Sequence, residues 1–227
     1  MDIIRMSFFG NSNIGVYGFT NNKIIILPPG IGRDDLAAIS ETLKVDIVEA
    51  RIAGTILNGV FINGNDNGII LPHIVFEEEL SLIKEKAREH GLSVEVVRSR
   101  HTALGNLLLC NNKGCITSPL LEREAQKKVS DVLGVEVVEK DLMKLSIPGS
   151  LGVVNDLGGA VHPGFVEDDF KTLLDVLKIK AEKATVNAGV PYIRSGVLAN
   201  NKGIVVGGNT TGPEILRIKR GLGGELE

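Results

Sequence analysis

A short block recurs along this chain at near-constant spacing, and it limits the possible folds more than any composition figure does. Its clearest copy is Gly105-Asn106-Leu107-Leu108-Leu109-Cys110-Asn111-Asn112-Lys113-Gly114-Cys115-Ile116-Thr117-Ser118-Pro119. A glycine leads into an apolar run, an Asn-rich turn ending in glycine, a second apolar run and a stop. Asn and Gly accept the positive φ of tight turns, so the block predicts a β-hairpin. Other copies turn at Asn21-Asn22-Lys23, Asn65-Asp66-Asn67-Gly68, Asp156-Leu157-Gly158-Gly159 and Asn200-Asn201-Lys202-Gly203. The opening glycines stand at 15, 59, 105, 152 and 196, so neighbours lie 44, 46, 47 and 44 residues apart. A fixed period of this size marks a repeat protein.

Each hairpin precedes a helix signal and a further strand. Residues 33–43 place Leu36, Ile39 and Leu43 on one face, and residues 77–90 do the same with Leu80, Ile83 and Ala87. The third helix uses Ala125, Val129 and Val132, and the fourth Phe170, Leu173, Leu174 and Leu177. This is the period of helices that bury one stripe. Acidic first turns (Asp34-Asp35, Glu77-Glu78-Glu79, Glu167-Asp168-Asp169) suit the positive end of a helix dipole. Strands are expected at 45–52, 92–97, 135–138 and 180–186, which gives four ββαβ units.

The fifth unit has its hairpin and a short helix over 213–219 but no last strand, while residues 2–9 form an orphan strand ahead of Gly15. If the N-terminal strand completes the fifth unit, the chain closes into an α/β ring of five ββαβ repeats with pseudo-five-fold symmetry. Closure removes exposed sheet edges. One domain over 1–227 is expected, with units at about 15–58, 59–104, 105–151, 152–195, and 196–227 plus 1–14. The Gly-rich tail after Arg220 is expected to be mobile.

Composition narrows the function. With 43% apolar and 23% charged residues the chain reads as a soluble globular protein, and no apolar run approaches the ~20 residues of a membrane span. The N-terminus lacks the layout of a secretion signal, so a cytoplasmic location is expected. Cys110 and Cys115 flank the third turn and read as small core residues on paired strands, reduced in the cytosol. A single C-x4-C pair is a weak zinc signal. His73, His90, His101 and His162 are scattered without ligand spacing, and the Gly-rich stretches do not cradle phosphate at a helix start. No metal, cofactor or catalytic residue is expected.

A formal charge of −3 gives no global attraction to nucleic acid. Two basic groups nevertheless stand out. Arg98, Arg100 and His101 lie just before Thr102-Ala103-Leu104-Gly105-Asn106; Arg217, Lys219 and Arg220 form the second, with Arg194 and Lys202 earlier in the same region. Each reads either as a solvated face or as a contact for RNA phosphates. With 4% aromatics and no Trp, stacking platforms for single-stranded nucleic acid are not expected.

Four words, in order on this repeat, resemble the archaeal branch of the translation initiation factor 6 family, the ribosome anti-association factors. They are Arg51-Ile52-Ala53-Gly54, Thr102-Ala103-Leu104-Gly105-Asn106, Gly158-Gly159-Ala160-Val161-His162-Pro163 and Thr185-Val186-Asn187-Ala188-Gly189. The likeness runs from residue 1 to about Arg220. It implies the pentein fold and binding to the large ribosomal subunit on the face that meets the small one. Steric blocking of subunit joining and a part in late subunit maturation follow from the same resemblance. The implied partners are a ribosomal protein and nearby rRNA, with no membrane and no small-molecule substrate, and a monomer is expected.

Asn106 matches a family contact position, and Arg100, His101 and Thr102 beside it are further candidate ribosome-binding residues. Val16, Val60, Val153 and Val197 hold the place after the other opening glycines, so symmetry does not require a polar residue there. The chain stops soon after the fifth unit, so regulation through the longer tail of eukaryotic members is not expected. Two alternatives remain. Pentein enzymes that modify guanidino groups use a nucleophilic Cys late in the chain, and this sequence has none after Cys115. The other is a generic protein-binding ring unrelated to ribosomes.

Overall fold

The computed structural model describes residues 1–224. Among them, fifteen strands form five three-stranded sheets. The hairpin signals become antiparallel pairs: Phe19–Thr20 with Ile24–Leu27, Asn63–Gly64 with Gly68–Pro72, Leu108–Cys110 with Cys115–Thr117, Gly152–Val154 with Gly158–Val161, and Val197–Ala199 with Gly203–Gly207. The first strand of each pair is the inner one, next to the axis, and the second is the middle one. Each middle strand also pairs in parallel with an outer strand: Asp46–Glu49, Ser93–Val97, Val137–Glu139 and Lys180–Lys183. A parallel pair needs a crossover, and helices supply it. They are α1 (Arg33–Leu43), α2 (Glu77–Glu89), α3 (Arg123–Leu133) and α4 (Glu167–Leu177), with α5 (Gly212–Leu222) last. In the fifth sheet the outer strand is Asp2–Met6, in register from Asp2 opposite Gly203 to Met6 opposite Gly207.

Middle strands are buried on both faces, which is why they read as unbroken apolar runs. Ile24 and Ile26 pack into one core with Ile83 and Ala87 of α2, while Ile25 and Leu27 pack into another with Ile39 and Leu43 of α1. Cys115 meets α3 through Val129, and Ile116 meets α4 through Leu173. Five cores result, each filled by one helix between neighbouring sheets, and each middle strand belongs to two of them.

At one end of the ring the five hairpin tips meet in two hydrogen-bond circuits. Buried Asn21, Asn65, Asn111, Asn155 and Asn200 each donate a side-chain N–H to the backbone oxygen of the next, at 2.9, 3.3, 3.1, 2.9 and 3.0 Å, with Asn200 closing onto Asn21. Their amide oxygens cap their own turns, as Asn21 does for Lys23 and Ile24. One residue on, the backbone N–H of Asn22, Asp66, Asn112, Asp156 and Asn201 donates to the side-chain oxygen of the next member, and Asn201 closes onto Asn22 at 2.8 Å.

At the other end lie five short turns: Ile14–Val16, Asn58–Phe61, Leu104–Leu107, Pro148–Ser150 and Ile193–Gly196. They pack so closely that a Cβ on Gly59 would strike the carbonyl oxygen of Gly15. One on Gly105 would strike that of Gly59, one on Gly149 that of Gly105, and one on Gly15 that of Arg194. The equivalent positions are therefore 15, 59, 105, 149 and 194. This corrects the expected openings at Gly152 and Gly196: Gly152 begins an inner strand and Gly196 ends a turn. Four glycines and one arginine make up the set.

Two further expectations change. Cys110 and Cys115 stand directly opposite each other in the third hairpin, Cα atoms 4.0 Å apart, and are joined by a disulfide rather than reduced. The directly opposed register places the two sulfurs within bonding reach, and Cys110 is only partly buried. The tail after Arg220 begins as the last turn of α5: Gly221 and Leu222 are buried, and the Leu222 carbonyl accepts from Asn155 at 3.0 Å. Residues 225–227 of that tail lie outside the described residues. Among the described residues no helix is long and apolar enough to cross a membrane.

Candidate functional site

Between each outer strand and the next short turn the chain makes a loop at the glycine-turn end. Phe9-Gly10, Ala53-Gly54, Met143-Lys144 and Asn187-Ala188-Gly189 hold positive φ there, above bridges Phe8–Asn11, Ile52–Thr55, Leu142–Leu145 and Val186–Val190. In the last three of these four loops a carboxylate from the following helix holds the loop in place. Glu79 accepts from the Ala53 and Gly54 amides at 2.7 and 2.8 Å, Asp169 from Met143 at 2.7 Å, and Glu214 from Ala188 and Gly189 at 3.1 and 2.8 Å. Glu79, Asp169 and Glu214 in the first turns of α2, α4 and α5 therefore bind the rim as well as offsetting helix dipoles.

The third loop is built differently. Residues 98–102 contain no positive φ. Glu122, at the N-cap of α3, accepts from both the backbone amide and the Nε of Arg100, each at 3.3 Å. The buried Ser99 hydroxyl accepts from the His101 amide at 3.0 Å. The Ser99 hydroxyl, the amide of Glu122 itself and the Arg100 amide hold the Glu122 carboxyl down to about 2. Arg98 and Arg100 stand exposed, while His101 and Thr102 are partly buried on the way to the turn that carries Asn106. All four candidate residues thus share one face of the ring.

Asn106 lines a dish of about 410 Å³ on the axis, together with Val16, Val60, Ser150, Tyr192 and Arg194. Among the described residues its side chain has no hydrogen-bond partner. In the corrected register its equivalents are Val16, Val60, Ser150 and Ser195; Val153 and Val197 lie on inner strands instead. The polar departure at Asn106 is therefore shared by two hydroxyls.

The second basic group does not form one patch. Arg217 donates to the Lys183 carbonyl at 3.4 Å, and Arg220 pairs with Glu182 at 2.6 Å. Lys202 donates to the Asn22 and Lys44 carbonyls at the hairpin-tip end. Arg194 lines both the dish and the chamber behind it, and burial lowers its guanidinium to about 10. The roles of Tyr192 and Arg194 here were not legible in the sequence, since only the third dimension shows that residue 194 stands in a glycine's place. Among the described residues no group of three or more His, Cys, Asp or Glu side chains converges as a metal site.

The profile described as the eIF-6 family matches residues 3–221. Translation initiation factor 6 of Staphylothermus marinus is 55% identical over 224 residues, covering 99% of each chain. That of Saccharolobus islandicus is 42% identical over 98% of this chain and 100% of its own. That of Pyrococcus horikoshii is 39% identical over 98% and 99%. Among solved structures, a dimethylarginine dimethylaminohydrolase adduct with S-methyl-L-thiocitrulline matches with a TM-score of 0.50 at 17% identity, covering 94% of this chain and 74% of that one. That likeness is one of fold, the pentein ring.

Proposed function

The chain belongs to the eIF-6 family, and from that premise we propose that it binds the large ribosomal subunit on its intersubunit face and prevents premature joining of the small subunit. Its place is the cytoplasm, in translation initiation and in large-subunit maturation, and it acts without catalysis. The observation that carries this reading is the face at the glycine-turn end. Arg100 is held there by Glu122, and Asn106 keeps its amide free of internal bonds at the edge of the dish. Loops fixed in advance lose little entropy on docking to a preformed surface. Arg98 and Arg100 supply local contacts to RNA phosphates, and the remaining contact area suits protein, given a formal charge of −3. A guanidino-modifying activity lacks its nucleophile: Cys110 and Cys115 are bonded to each other, and no cysteine follows them.

Co-sedimentation with separated large and small archaeal ribosomal subunits tests the reading. Recovery with the large subunit alone, and fewer joined ribosomes when the protein is added, is the expected result. Failure to bind either subunit at moderate salt overturns it, and a screen against guanidino substrates then decides the enzymatic alternative.

A further inference from the structure

We propose that the axial channel is an anion site, in which a small oxoanion of the phosphate or carboxylate type enters through the dish and pairs with the guanidinium of Arg194. The proposal stands independently of the ribosome reading. Four of the five equivalent turn positions are glycines that admit no side chain, and the fifth carries a cation on the axis. That cation lacks an answering charge. Its Nε is sealed from solvent and has no partner, although the residue as a whole is partly exposed. One Nη reaches the Gly59 carbonyl only at 3.5 Å. Among the described residues no carboxylate pairs with it.

The channel's own acids are committed elsewhere. Asp66 and Asp156 belong to the hairpin-tip circuit at the opposite end, where Asn22, Asn112 and Asn201 donate to them. A desolvated charge without a counter-charge is strongly unfavourable, and a bound anion removes that penalty. The guanidinium stays protonated at neutral pH even though burial lowers it to about 10.

The surroundings select for sign and size. The dish, about 410 Å³, is lined by no acidic residue. Asn106 and Ser150 offer neutral donors, and Val16, Val60 and Ile147 supply walls that lower the local dielectric. On the inner side the chamber is only about 40 Å³, room for a water molecule or so, which leaves the dish as the way in. A planar guanidinium matches two oxygens of a carboxylate or phosphate at once.

Two measurements on the intact protein test this. In the first, arginine Nε–H resonances of ¹⁵N-labelled protein are followed by NMR during titration with sodium phosphate and, separately, sodium acetate. Ionic strength is held with the bulky anion of HEPES, and the Arg194 signal is the one that Arg194→Gln removes. A saturable shift of that signal, with the Asn106 amide moving alongside it, is expected. A linear drift shared by all arginines up to about 50 mM, far above a ~1 mM dissociation constant, overturns the site. In the second, crystals of the unmutated protein soaked in selenate locate the anion by anomalous scattering, which needs no variant to fold. A peak within hydrogen-bond reach of Arg194 supports the proposal, and peaks on the outer surface alone, an adventitious ion only, refute it.

Discussion

Five donor atoms converge on the carboxylate of Glu214: the hydroxyls of Thr185 and Thr211 and the amides of Thr211, Ala188 and Gly189. Burial alone would raise its pKa. The Thr211 amide, the Thr185 and Thr211 hydroxyls and the Gly189 amide overcome that and hold it at about 2, against an ordinary 4.5. A depressed carboxylate stabilises the fold above its unfolded pKa and loses that contribution as pH falls through the folded value. Glu214→Gln is therefore expected to cost about 2–3 kcal/mol at neutral pH, with the gap to wild type closing between pH 4.5 and 2 in denaturant unfolding. A gap constant over that range would show that charge is not the cause. Asn106 makes the opposite prediction. Its side chain holds nothing together, so Asn106→Arg should weaken large-subunit binding by about tenfold while leaving the thermal melt in place. Equal losses of binding and stability would make it a structural residue. Asn106 and Arg100 could be picked out because they stand in or beside a family word. Arg194 stands out only as one of several basic residues; its place on the axis is hidden, since Gly196 two residues later mimics the period.

At the scale of elements, the 3.6-residue period located the helices well: α1 spans the residues expected, 33–43. Asn-rich tips located the hairpins for an equally local reason, the positive φ and side-chain caps of the turn. Strands are shorter than the apolar stretches that contain them. The apolar stretch 45–52 yields only Asp46–Glu49, because Ile52 already anchors a rim loop by pairing with Thr55. The repeat register in units four and five differs from the glycine spacing because turn packing depends on contacts between units, and no local spacing reveals those. Two glycines separate the kinds of constraint involved. Gly105→Ala would drive a Cβ into the Gly59 carbonyl and should cost about 1–3 kcal/mol or more by urea unfolding. Gly10→Ala, at φ 73° with open space around it, should cost only about 1 kcal/mol of backbone strain. If the two losses proved equal, the close approach would not be what sets the turn. The disulfide closes a separation of 5 residues, so its reduction should lower stability by only about 2 kcal/mol on the loop-closure model, measured as the shift in urea midpoint with reductant.

For the whole molecule, the sharing of every middle strand between two cores sets how it unfolds. A linear solenoid frays from its ends, because each unit touches only its neighbours. Here Ile24 and Ile25 tie adjacent cores to one strand, and Asp2–Met6 joins the last sheet to the first residues. One calorimetric transition is expected, with calorimetric and van't Hoff enthalpies equal; a resolved second transition would mean that the ring opens before it melts. Removing residues 1–6 should leave Gly203–Gly207 unpaired on its outer side, and light scattering should then report self-association.

The two circuits at the hairpin tips carry a consequence for ancestry. Each closes with five members, and every member both gives to one neighbour and receives from the other. A sixth copy would widen the circumference and a fourth-only ring would narrow it, and either would sever both circuits at once. Open repeat arrays change their reach across lineages by gaining or dropping copies. This architecture has no such freedom: closure of both circuits holds the copy number at five.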